Sequence, residues 1–205
     1  MRTHTAVGAA ALLVALLAGC SPAPAADDDE TAAPEPDPTP TSVPSDAPAE
    51  VREFVLPTRC VDVVTAETAQ GFAADGRELL GGPDGVYGEH YFGDPTPEER
   101  AGGITCVWGD ESAPATTVIV SVAPVTAATR SGIVSALIES GLIESQIDGA
   151  ISYARIGDEV SAPGELHVIR TDSWISVVEA VGGEDRFQHA TELVDEVTAQ
   201  VYTER

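Results

Sequence analysis

The chain has 205 residues, with 34 acidic and ten basic side chains and a formal net charge of −24. All ten basic residues are arginine. This excess of acid argues against binding nucleic acid or anionic lipid headgroups through charge, because both need a basic face.

Residues 1–19 are predicted to be an export signal. Arg2 gives a short basic region, and the 13 residues at 6–18 are apolar and uncharged, which is shorter than the ~20 residues that span a bilayer. The stretch ends in Leu17-Ala18-Gly19-Cys20, which resembles the bacterial lipobox, where the cysteine receives a diacylglycerol group. We therefore expect a lipid on Cys20 that anchors the protein to the cell membrane on its extracytoplasmic face; an ordinary secretory signal is the alternative.

The composition of residues 20–50 predicts a disordered stalk, which carries the lipid on Cys20. Ser21–Glu50 contains eight prolines, eight acids and no basic residue, so it cannot bury enough apolar surface to fold. In polyproline II geometry such a segment would reach about 90 Å at ~3.1 Å per residue. The folded domain is expected over residues 51–205, and about 155 residues suffice for one domain with a hydrophobic core.

Two cysteines remain once Cys20 is assigned to the lipid. Cys60 and Cys106 have one possible pairing in an exported, oxidising context, so we expect a disulfide. A metal site is disfavoured because structural zinc usually takes four Cys or His ligands, and the sequence predicts no cofactor.

The hydrophobic periodicity of the domain predicts an α+β fold, an antiparallel sheet of about five to six strands with helices packed on it. Phe54–Leu56 is expected to be a short buried segment, and residues 74–97 are rich in Gly, Asp and Pro and are expected to be mostly loop. The predicted helices are residues 66–73, 126–140 and 184–202; the predicted strands are residues 102–109, 116–122, 150–156, 166–171 and 174–181, with a short strand around 86–92 as an alternative to loop.

No catalytic constellation is found. The sequence lacks a Gly-x-Ser-x-Gly elbow and a His-Glu-x-x-His motif, and His167 and His189 are interpreted as surface or boundary residues. The candidate binding surface is Glu89, His90, Tyr91 and Phe92, which place two aromatics and a titratable pair in a loop-rich stretch, together with Trp174; short strands that cap the core are the alternative.

The order of these motifs resembles a group of actinobacterial cell-envelope lipoproteins of unassigned function. The resemblance rests on the lipobox, the stalk, Cys60-Val-Asp-Val-Val-Thr before a helix, Thr105-Cys106-Val107-Trp108, and Arg155-Ile156-Gly157-Asp158-Glu159. It spans residues 54–202 and implies a disulfide-linked α+β domain outside the membrane; it carries over no catalytic residue, because none is established for the group.

Three functions are compatible with these features. The leading hypothesis is a non-enzymatic, lipid-anchored envelope domain that binds a ligand or a partner protein at a concave apolar surface. The alternatives are a hydrolase that uses two carboxylates on a cell-wall polymer and an acidic sensor or assembly factor that docks a basic partner.

Overall fold

The fold is built on a seven-stranded antiparallel sheet. The computed structural model describes residues 52–204, except for the side chain of Glu204. The predicted signal, Cys20 and the stalk lie outside the described residues.

Nine strands and four α-helices follow one another along these residues, with a 3-10 helix at Cys60–Asp62. The strands are β1 (Arg52–Phe54), β2 (Glu78–Gly81), β3 (Ile104–Asp110), β4 (Ala113–Pro124), β5 (Ile143–Ile147), β6 (Ala150–Arg155), β7 (Gly164–Ile169), β8 (Ser173–Glu179) and β9 (Tyr202–Glu204). The helices are α1 (Ala66–Ala74), α2 (Pro97–Arg100), α3 (Ala127–Glu139) and α4 (Glu184–Val201).

A hairpin and a meander meet at the centre of the sheet. Strands β3 and β4 form the hairpin, α3 follows, and β5 to β8 run as a meander whose last strand pairs with β4. The strand order is β2-β3-β4-β8-β7-β6-β5, and β1 and β9 form a separate two-stranded sheet. The two ends of the described chain therefore pair with each other.

One face of the sheet holds the larger core. Alternate residues of β3, β4, β7 and β8 are apolar on this face, and α4 covers them with the stripe that the helical spacing predicts. The Cys60–Cys106 disulfide is buried in this core, with the two Cα atoms 5.5 Å apart. Trp108 packs beside it, its ring centroid 5.4 Å from that of Phe72 on α1.

The other face carries a smaller core and is covered less completely. Helix α3 begins at its N-cap Thr126, whose hydroxyl accepts a hydrogen bond from the backbone N–H of Thr129. It contacts this face through Leu137, which clusters with Tyr153, Trp174 and neighbouring apolar side chains. Because α3 covers only part of the face, a groove remains between the helix and the sheet.

The loop after β2 approaches the disulfide closely. Gly82 has a φ of +102°, and a Cβ there would lie 2.4 Å from the carbonyl oxygen of Thr105 and 2.6 Å from Sγ of Cys60. No side chain fits at this position. The glycine-rich composition of this segment thus serves close packing against β3.

The structure confirms the α+β class, the antiparallel sheet with packed helices and the disulfide. The sheet has seven strands rather than five to six, because β2 and β5 were not predicted. The alternative of a strand at residues 86–92 is wrong: these residues form turns and loop, and the strand lies earlier, at Glu78–Gly81. Among residues 52–204, no helix is long and apolar enough to cross a membrane.

Candidate functional site

A row of polar side chains crosses the less covered face of the sheet. Strand register aligns one polar residue from each of six neighbouring strands. Five of the six are almost completely buried, although buried polar groups cost free energy unless they are hydrogen-bonded. In strand order from β3 to β5, the row is Thr105, Ser121, Ser176, His167, Tyr153 and Glu144.

Glu98 lies against the middle of this polar row. It belongs to α2, which begins with a capping box between Thr96 and Glu99. The residue is only 5% exposed, and its carboxylate accepts a hydrogen bond of 2.6 Å from the Ser176 hydroxyl. No other side chain among the described residues donates a hydrogen bond to it. The short helix therefore brings a carboxylate with unfilled acceptor capacity onto the sheet.

His167 is held between two side chains of the same face. The indole Nε1–H of Trp174 donates to Nδ1 of His167 at 3.2 Å. An indole can only donate, so Nδ1 is an acceptor, and the proton of the neutral imidazole is on Nε2. Nε2 faces Glu165, with 3.8 Å to Oε2.

Glu165 is kept ionised by its neighbours. The imidazole of His167 and, more weakly, the Arg155 guanidinium hold the pKa of the Glu165 carboxyl below its ordinary value. Arg155 Nη1 lies 2.7 Å from Oε1 of Glu165. Glu165 therefore has an arginine partner, whereas the basic side chain within 4 Å of the Glu98 carboxylate is that of His167, whose Nδ1 lies 3.9 Å from Oε1.

A groove of about 280 Å³ lies between α3 and the sheet, and its polar part includes Glu98, Ser121, Glu165, His167 and Ser176. This volume is near the lower end of small-molecule sites. One aromatic, Phe92, reaches it from the loop before α2. The remaining walls are mainly apolar; they are formed by Ile119, Ile133, Leu137, Leu142, Trp174 and Val178.

The structure divides the predicted binding surface. Phe92 and Trp174 line the same groove, although 82 positions separate them in the chain. Glu89 and His90 instead line a neighbouring cavity, where His90 Nδ1 lies 3.6 Å from Oε1 of Glu99. Tyr91 lines neither cavity; it packs against the ring of Phe92, with a centroid distance of 5.2 Å.

The interpretation of His167 as a surface or boundary residue is wrong, because only 7% of it is exposed. Glu98, Glu165 and Ser176 were not predicted from the sequence. One signal was present: Ser121, His167 and Ser176 each interrupt an apolar strand at a position that faces away from the main core. His189, in contrast, lies at the partly exposed edge of α4, as expected.

Comparisons with known proteins identify no relative: no family model matches the sequence, and no curated protein or solved structure is significantly similar to it. Within residues 52–204, no group of three or more His, Cys, Asp or Glu side chains is placed to hold a metal ion. The groove must therefore be interpreted from its own chemistry.

Proposed function

We propose that the protein is a lipid-anchored, extracytoplasmic binding protein that holds a small amphipathic ligand in this groove. The apolar walls accept the body of the ligand, and Glu98 receives a cationic or hydrogen-bond-donating headgroup. The observation that carries the proposal is the buried Glu98 carboxylate, which accepts one side-chain hydrogen bond in a groove whose walls are mainly apolar.

Charge and shape both favour a ligand with a positive end. An ionised carboxylate in apolar surroundings gains free energy when an opposite charge replaces its lost hydration. Trp174 and Phe92 add aromatic rings to the same groove, and aromatic faces attract alkylammonium groups. An ammonium group on an apolar chain matches all of these features.

A hydrolase is the second candidate, because Glu98 and Glu165 line the same groove. The lowered pKa of Glu165 suits a nucleophile or general base, and hydrolysis also requires a general acid with a raised pKa. The Ser176 hydroxyl donates to Glu98 and not to the imidazole of His167, so these residues do not form a nucleophilic triad. The arrangement favours binding over hydrolysis.

A matched pair of amphiphiles tests the binding proposal. Decyltrimethylammonium and decyl sulfate share an apolar chain and differ in headgroup charge. We expect the ammonium compound to quench the fluorescence of Trp174 and to raise the melting temperature of the purified full chain, and the sulfate to do neither. Glu98→Gln keeps an oxygen that can accept from Ser176 but removes the charge, and it should weaken ammonium binding at least tenfold.

Helix α3 provides the control for the location of the site. Ala136 lines the groove and is exposed, whereas Ala128 is exposed on the same helix and lies outside the groove. Ala136→Phe should block binding, and Ala128→Phe should leave it unchanged. Equal affinity in these two variants would refute the location of the site in the groove. Equal binding of both amphiphiles would refute the preference for a cationic headgroup.

The anchor is tested separately. Cys20→Ala should abolish incorporation of labelled fatty acid and release the protein from the membrane fraction, because the cysteine thiol is the attachment point. Labelling that persists in this variant would contradict the proposed lipid anchor, but it would not bear on the proposal that the groove binds a ligand.

A further inference from the structure

A second cavity, of about 430 Å³, lies where both ends of the domain meet the first turn of α3 and the β7–β8 turn. We call it the arginine pocket, because Arg52, Arg130 and Arg170 line it together with one acidic residue, Asp172. The whole chain has only ten basic residues against 34 acids. Three arginines at one cavity therefore reverse the local charge of a strongly acidic protein.

Two of these guanidinium groups lack a carboxylate partner. Elsewhere in the described residues, four arginines form ion pairs within 4 Å of an Asp or Glu: Arg59, Arg77, Arg155 and Arg186. Arg130 and Arg170 form none with any described residue. Asp172 lies in the same pocket, but its carboxylate accepts a hydrogen bond from the Tyr202 hydroxyl instead.

The backbone and an aromatic ring hold the two arginines in place. Arg130 Nη1 donates to the carbonyl oxygen of Arg170 at 2.5 Å, which uses one of its five N–H donors. The guanidinium carbon of Arg170 lies 5.9 Å from the ring centroid of Tyr202. Its Nε is buried without an acceptor among the described residues, a condition that native structures rarely leave unexplained.

We propose that the arginine pocket binds a phosphate group. Guanidinium groups bind oxyanions through charge-assisted, often paired hydrogen bonds. Arg130 lies on α3 and Arg170 in the β7–β8 turn, so the two guanidinium groups come from different elements. A tetrahedral phosphate presents oxygens in several directions and can bind both, whereas a planar carboxylate needs only one guanidinium group. The site is separate from the groove and does not depend on its function.

The phosphate group could come from a soluble phosphate ester or from a phospholipid headgroup. The net charge of the chain opposes an approaching anion, but at physiological salt this field is screened beyond about 8 Å. The adjacent guanidinium groups then dominate binding. Arg52 also lies at the start of the domain, directly after the predicted stalk, so a membrane lies within reach of the pocket if Cys20 carries a lipid.

Titration of the purified full chain with inorganic phosphate at constant ionic strength tests the proposal. We expect a saturable increase in melting temperature, with an apparent Kd at least tenfold weaker in Arg130→Gln and in Arg170→Gln. Arg59→Gln is the matched control: it removes the same charge from an exposed ion pair with Asp62 and should bind phosphate like the unaltered chain.

Two further arms distinguish the sources of phosphate. Glycerol phosphate probes the soluble ester, and vesicles of phosphatidylglycerol compared with phosphatidylcholine probe the headgroup. Binding that depends on Arg130 and Arg170 in either arm supports the site and identifies its source. Phosphate should also protect both arginines of the unaltered chain from phenylglyoxal, which gives a result even if the variants fail to fold. No saturable effect of phosphate or of anionic vesicles, or equal weakening in Arg59→Gln, would overturn the proposal.

Discussion

The Cys60–Cys106 disulfide closes the segment that builds one wall of the groove. Its two cysteines are 46 residues apart, and the enclosed loop contains α1, β2, Phe92 and α2 with Glu98. On the loop-entropy model, a closed loop of this length stabilises the fold by about 4 kcal/mol. Replacing both cysteines by alanine should therefore lower the melting temperature by roughly 8–16 °C, at ~2–4 °C per kcal/mol for a domain of this size.

Thermal and urea unfolding of the oxidised chain and its variants measure this effect. Either single substitution, Cys60→Ala or Cys106→Ala, already breaks the bridge, so the double variant should be only slightly less stable than each single variant. Hydrogen exchange should increase most within residues 60–106, and binding at the groove should weaken with it. Single effects that add up in the double variant, or a melting temperature within about 3 °C of the unaltered chain, would refute this reasoning.

Two further substitutions test buried or partly buried polar contacts away from the groove. Glu179 is 1% exposed and its nearest partner is Nδ1 of His189, so His189→Ala should lower the free energy of unfolding by about 1.5–3 kcal/mol; a loss no larger than that of the exposed control Gln188→Ala would contradict the pairing. Burial and the hydrogen bond to Asp172 raise the pKa of Tyr202 to about 12. The pKa of a tyrosine in the unfolded chain is near 10, so the higher pKa of Tyr202 in the folded chain favours folding. This contribution to stability is complete below about pH 10 and is lost as the pH rises towards 12. Urea midpoints between pH 9 and 12 should therefore fall less steeply in Tyr202→Phe, and parallel slopes would show that Tyr202 is not responsible.

The elements that the sequence predicted correctly are those with strong periodicity. The β3–β4 hairpin and α4 have a regular apolar pattern. Helix α3 was predicted from apolar residues at helical spacing, although Leu137 is the one buried residue of this helix. Strand β5 (Ile143–Ile147) was missed because it is an edge strand with four exposed residues and little apolar pattern. Strand β2 was missed because its sequence, Glu78-Leu79-Leu80-Gly81, is short and leads into a glycine-rich loop. In both, pairing with a neighbouring strand overrides a weak local preference.

The candidate site was only partly predictable, because its residues come together through strand register. Phe92 and Trp174 were chosen for their aromatic character, and both line the groove. Glu98 could not be predicted as a site residue, because nothing in the sequence distinguishes it from the other acids among the 34. Only the fold places it, through α2, next to Ser176. Residue spacing within a strand shows which face a side chain takes, but it does not show which strands are neighbours.

The position of Glu98 is easier to explain by binding than by stability. A carboxylate buried in an apolar groove loses hydration that one serine hydroxyl restores only in part, so an uncharged side chain there should fold at least as well. We therefore expect Glu98→Gln to melt at or above the temperature of the unaltered chain while it loses affinity for the ammonium probe. Residues that weaken folding and strengthen binding are characteristic of functional sites. If Glu98→Gln were instead clearly destabilised and bound the probe normally, Glu98 would be a structural partner of Ser176, and the groove would lose its polar recognition element.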